Sequence, residues 1–268
     1  MAHVRLLLLA CACLLTAGAY TERNAQQPAA PAQSADTTRG IELYRQGDFN
    51  EAVALLRQAS RQTPTDADAW HFLGLALAQS GKQTDALRAL ERAAYLRLAR
   101  LSSFTVGNKN FDELTKDEHA VFRAEQTRRY QSALETLTAY LQFNPKDAPF
   151  WREQAESLQF YIAQSEHQDG HENVYPPGAL TTRAVMLAKP NPDFVAQARN
   201  HGTKGEVVLR LVLAADGTVQ HILALKPLPD GLTEASVAAA RRIRFKPATK
   251  DGRPVSQIMT VSYNFNVR

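Results

Sequence analysis

The sequence predicts a multi-domain chain, an all-α helical repeat array followed by a small α+β domain with an antiparallel three-stranded sheet. Three observations carry this. Small residues recur at a fixed spacing of 34 positions in the first half, apolar and polar residues alternate near the C-terminus, and between the two a polar stretch ends in Pro176-Pro177-Gly178. Recurrence at the length of a helix pair marks stacked helical units. Period-two alternation marks a half-buried strand. A Pro/Gly cluster marks a boundary. The 268 residues, 44% hydrophobic and 22% charged, suffice for two ordinary globular domains.

Gly40, Gly47, Ala52, Leu56 and Ala59 return as Gly74, Gly81, Ala86, Leu90 and Ala93. Small residues belong where paired helices approach closely, and Gly47 and Gly81 fall where the turn between helices needs a permissive backbone. Pro64 follows a helix and stops it, and Trp70 and Leu73 open the second unit. The pattern resembles the tetratricopeptide repeat, a helix–turn–helix unit. Leu98 stands where the second closing proline would be, so that helix is expected to run on towards Leu101, before an irregular insert over 102–116. A third unit resumes with Ala133, Leu137 and Pro145, and a helix over 148–164 caps the stack. Trp151 follows Pro145 as Trp70 follows Pro64, which makes both packing residues rather than ligand anchors.

Beyond residue 181 the texture changes. A short helix is expected over 192–199 with Gly202 at its end, then a strand over 206–214, a hairpin turn at Asp216-Gly217 and a strand over 218–224. A helix follows over 230–243 with Leu232, Ala235, Ser236, Ala239 and Ile243 on one stripe, then a turn at Asp251-Gly252. The last strand, 255–267, puts Val255, Met259, Val261, Tyr263, Phe265 and Val267 on one face and Ser256, Thr260, Ser262, Asn264 and Asn266 on the other. Four segments in order are Lys204-Gly205-Glu206-Val207-Val208, Ala215-Asp216-Gly217-Thr218-Val219, Arg241-Arg242-Ile243-Arg244-Phe245-Lys246-Pro247-Ala248 and Asp251-Gly252-Arg253-Pro254-Val255. Together they resemble the TonB C-terminal domain family over about the last 85 residues. Phe194-Val195 stand where the family commonly has Tyr-Pro.

That resemblance implies binding by β-augmentation, in which an extended partner peptide pairs with an exposed sheet edge. Carried over, the receiving edge is Gln257, Ile258, Met259, Thr260, Val261, Ser262, Tyr263, Asn264, Phe265 and Asn266. The competing reading is that the chain's own segments, or a second copy in a homodimer, cover this edge. Residues 181–268 hold 13 Lys+Arg against 6 Asp+Glu, which should attract acidic partners. Arg241, Arg242, Arg244 and Lys246 form a basic patch whose bland reading is a solvated helix end.

At the other end, Arg5, the apolar run 6–15 and Ala17-Gly18-Ala19 read as a signal peptide over 1–19, so the chain is expected to be exported to the periplasm. Both cysteines, Cys11 and Cys13, lie inside it, and Leu8-Leu9-Ala10-Cys11 loosely resembles a lipidation motif. Flexible linkers are expected over 20–36 and 166–180, flanking repeats over 37–165 and leaving 181–268 for the terminal domain. Membrane association is expected only if the first segment is retained or lipidated.

Catalytic and metal motifs are missing. His171-Glu172 opens like a zinc-protease motif, but position 175 is tyrosine. No nucleophile elbow, phosphate-binding glycine loop or nucleic-acid module is readable. Neither cofactor nor metal is expected. The expectation is a non-enzymatic envelope adaptor that binds proteins, among them peptide segments of outer-membrane transporters. Two alternatives stay open. An uncleaved N-terminal anchor would make it a TonB-type energy transducer supporting transmembrane transport, although the linker of about 18 residues is short for that span. The basic charge also admits a peptidoglycan-binding structural protein.

Overall fold

Small and apolar residues that pack between neighbours build six helices: α1 (Ala35–Gln46), α2 (Phe49–Gln62), α3 (Ala67–Gln79), α4 (Gln83–Ala99), α5 (Lys116–Leu141) and α6 (Ala148–Glu166). The structure is a computed structural model that describes residues 34–102, 115–166, 174–175 and 177–266. The proposed signal peptide, most of the 20–36 linker, most of the 102–116 insert, His167 and His171 lie outside those residues. Ser34 caps α1 by accepting the Thr37 N–H, so the first repeat begins slightly before residue 37. Asp66 caps α3, accepting the N–H groups of Asp68 and Ala69, while its other oxygen accepts the buried Thr37 hydroxyl at 2.7 Å. One side chain thus ends a helix and ties it to its neighbour. Gly47, left-handed at φ 90°, closes α1.

Close approach within the pairs depends on Gly40 and Gly74. A Cβ on either would lie 2.6 Å from the Cγ of Leu56 or Leu90 respectively. Lacking a proline at 98, α4 continues to Ala99, and Leu98 is fully buried. The third pair, α5 and α6, centres on Trp151, whose indole N–H donates to Asp147 at 2.7 Å.

The terminal domain contains β1 (Val174–Tyr175), β2 (Val185–Ala188), α7 (Ala196–His201), β3 (Gly205–Leu213), β4 (Val219–Lys226), α8 (Leu232–Ala240), β5 (Arg244–Lys246), β6 (Ala248–Lys250) and β7 (Arg253–Phe265). The expected three-stranded antiparallel sheet is corrected to a mixed five-stranded one. Its order is β1-β7-β3-β4, with β6 also on β7 and with β1 running parallel. A separate ribbon pairs β2 with β5. These additions were hidden because strands of two to four residues are too short to display an alternation. β1 also falls inside the expected 166–180 linker, so part of that segment is built into the sheet. Two helices are shorter than expected. Asp230 and Gly231 are left-handed at φ 63° and 78°, so α8 starts after them, and α7 starts only at Ala196.

Both faces of the sheet are covered. Val207, Leu209, Leu211 and Leu213 face a core shared with Leu232, Val237 and Ala239 of α8. On the other face, Leu223 and Leu225 join the core of the helical array, beside Tyr130, Trp151, Leu158 and Tyr161. Helix α6 lies along β4 and satisfies its outer edge. The Gln154 amide donates to the Ile222 carbonyl at 3.1 Å and accepts the Ala224 N–H at 2.8 Å. Tyr161 donates to the His221 carbonyl at 2.9 Å. His221 sits where the β3–β4 register shifts, left-handed at φ 47°, and stacks on Phe160 with ring centres 3.7 Å apart.

Candidate protein-binding surfaces

Capping of β4 by α6 leaves β7 as the other outer strand of the main ladder. Its residues 257–265 pair antiparallel with β3. Its opposite edge meets β1 at Ser256 and Gln257. Beyond that point, the Ser262 carbonyl turns away from β3 and accepts from Lys189 Nζ at 2.9 Å. Alternation in an antiparallel ladder turns the backbone groups of Thr260 and Asn264 the same way. Residues 260–264 therefore present outward N–H and C=O groups, next to a groove of about 400 Å³. Lys189, Asn191, Pro192 and Phe194 form its far wall, Phe194 packing edge-on against Phe265 at 5.8 Å and Lys189 lying over the Tyr263 ring at 5.0 Å.

The ten edge residues read from the sequence fall into distinct roles. Gln257 is buried and spends its side-chain carbonyl on the Ala184 N–H at 2.7 Å. Ile258 is partly buried against the helical array. Val261, Tyr263 and Phe265 are core, and Met259 packs against it. Thr260, Ser262, Asn264 and Asn266 line the accessible strip. Burial of the Tyr263 ring pushes its hydroxyl's pKa up, against the lowering effect of Arg242. Lys189 and Phe194 were not foreseen as part of this groove, since only tertiary structure brings 189–194 beside β7.

The basic residues do not act as one cluster. Arg241 pairs with Glu153 of α6, across the seam between helices and sheet. Arg242, Arg244 and Lys246 are exposed, and the last two lie on β5 opposite β2.

A second recess, of about 460 Å³, opens between α3 and α5, lined by His71, Leu75, Gln131, Leu134, Glu135, Thr138, Ala139 and Gln142. Beneath it Arg97, itself buried, donates to the Ser132 carbonyl and the Thr136 hydroxyl, both at 2.6 Å, and to Asp68 at 3.0 Å. His71 Nδ1 is 3.1 Å from the Thr136 hydroxyl and its Nε2 is 3.6 Å from Glu135. Burial lowers the His71 pKa, and Glu135 opposes that shift. The ring is therefore neutral near pH 7, and Glu135, whose own pKa is held down chiefly by the nearby His71, leaves a carboxylate at the mouth. No cluster of three or more metal-ligating side chains occurs among the described residues.

Two parts of the chain match known families. Residues 190–267 match the family of the Gram-negative bacterial TonB protein C-terminal, and residues 37–103 match the tetratricopeptide repeat family. The chain is also similar to the PEX5-related protein of Mus musculus, at 28% identity over 110 residues, or 40% of this chain and 17% of that protein's length.

Proposed function

We propose that this chain, in which tetratricopeptide repeats precede a TonB C-terminal domain, is a non-catalytic adaptor of the cell envelope. One protein is held in the recess between α3 and α5, and an extended peptide of another is held on β7. The exported, periplasmic setting rests on the reading of residues 1–19. The observation that carries the proposal is the outward strip Thr260, Ser262 and Asn264, flanked by a groove whose far wall includes Lys189 and Phe194. Strand addition needs main-chain donors and acceptors turned outward, which this strip has once Lys189 yields the Ser262 carbonyl to the incoming peptide, and alternate side-chain contacts, which the groove supplies.

Thr260→Pro removes one outward N–H while sparing the ladder to β3, since a proline is tolerated where the N–H faces solvent. Extended peptides selected from a random display library on the full chain should bind wild type at least roughly tenfold more tightly than this variant, one lost hydrogen bond plus ring interference being worth about 1.4 kcal/mol or more. Unchanged affinity in a folded Thr260→Pro protein would remove β7 as the binding edge.

A further inference from the structure

The β2–β5 ribbon lies outside both surfaces described above. Along residues 183–189 the side chains alternate. Ala184, Met186 and Ala188 turn inward, while Arg183, Val185, Leu187 and Lys189 are exposed. The register places Val185 opposite Lys246 and Met186 opposite Phe245. Met186 and Phe245 are packed in the domain core, so the ribbon cannot roll its other face inward. Val185 and Leu187 stand out as large apolar side chains at 56% and 68% exposure. Lys189 bends onto β7, but Arg183, Arg244 and Lys246 make no ion pair among the described residues. No Asp or Glu occurs between Glu172 and Asp193, or between Glu234 and Asp251. Within the ribbon itself, residues 183–189 and 244–246, every charged side chain is positive, beside two projecting aliphatic tips.

We propose that this face docks on an anionic phospholipid bilayer. Val185 and Leu187 enter the boundary between headgroups and acyl chains, and Arg183, Arg244 and Lys246 meet lipid phosphates. Aliphatic side chains ringed by cations suit an interface that is apolar below and anionic above. A protein partner anchors best through side chains that fill a recess, whereas these side chains project. The docking proposed is peripheral, through surface side chains of the ribbon. Such docking would hold the chain at a bilayer independently of its first 19 residues.

The test uses the full chain, so that the N-terminal segment contributes equally to every sample. Co-sedimentation is measured with vesicles of phosphatidylcholine plus phosphatidylglycerol and with vesicles of phosphatidylcholine alone. Wild type should favour the anionic vesicles, and raised salt should weaken that preference. Arg244→Gln with Lys246→Gln should reduce partition onto anionic vesicles by roughly fivefold per charge removed. Val185→Ser with Leu187→Ser, exposed positions where circular dichroism should show an intact fold, should reduce it by roughly tenfold. Equal partition of wild type and both variants overturns the proposal. So does binding of poly-glutamate that depends on these residues while vesicle binding does not, since the patch would then serve an acidic protein.

Discussion

At the residue scale, Arg97 ties the array together. Its guanidinium reaches Asp68 on α3 and Ser132, Glu135 and Thr136 on α5, joining three helices through one buried group. Arg97→Met should destabilise the chain by about 3 kcal/mol, the low end for breaking a buried ion pair, because Asp68 and Glu135 keep access to water. Chemical denaturation of the full chain measures it. His71 makes a pH-dependent contribution. Burial depresses its pKa below 6.5, so folding excludes a proton that the unfolded chain accepts. Stability from the neutral ring is complete above about pH 6.5 and declines as pH falls towards the lower folded value. Melting temperature should therefore fall between about pH 7 and pH 5, and His71→Gln should flatten that part of the profile. Neither residue was singled out in the sequence, because a lone His or Arg on a helix shows no sign of whom it will meet 29 or more positions away.

At the element scale, the helical pairs were legible and the short strands were not. Five small and apolar residues repeated at one spacing because helices must touch at the same place in each unit, and that constraint is written in residue size. Gly74→Ala tests it. The added methyl would meet Leu90 Cγ at 2.6 Å and the Ala86 carbonyl at 3.2 Å. The gain in helix propensity, about 1 kcal/mol, is then outweighed by overpacking of about 1–3 kcal/mol, so the melting temperature should fall. In contrast, β1 and β6 hold two and three residues, and their partners are settled by a fold that local pattern cannot express. The β2–β5 ribbon was missed for the same reason, its strands holding four and three residues.

At the scale of the whole molecule, the helices and the sheet share a core. The run Ile222-Leu223-Ala224-Leu225 is continuously apolar, the pattern of a strand covered on both faces, with even positions facing α8 and odd positions facing the array. The sequence reading treated the helical and sheet modules as joined by linkers because the pattern does not say what covers the second face. Gln154 is one of several polar links between them, fully buried with both amide groups bonded to β4. Gln154→Ala leaves the buried Ala224 N–H without its partner and the Ile222 carbonyl with only the longer bond from the Ser157 hydroxyl at 3.4 Å, a loss of about 2 kcal/mol. Tryptophan fluorescence, which reports the helices, and amide exchange in β4 should give one transition in wild type and separate in the variant. Arg241 with Glu153 adds an exposed ion pair across the same seam, worth little by comparison.

The most direct test of the adaptor account is amide hydrogen exchange on the full chain, with and without a library-selected extended peptide. Strand addition on β7 predicts that the N–H groups of Thr260, Ser262 and Asn264, which face away from β3, gain protection on binding, while their odd-numbered neighbours, already in the ladder, change little. Bound peptide with no gain at those three amides would contradict it.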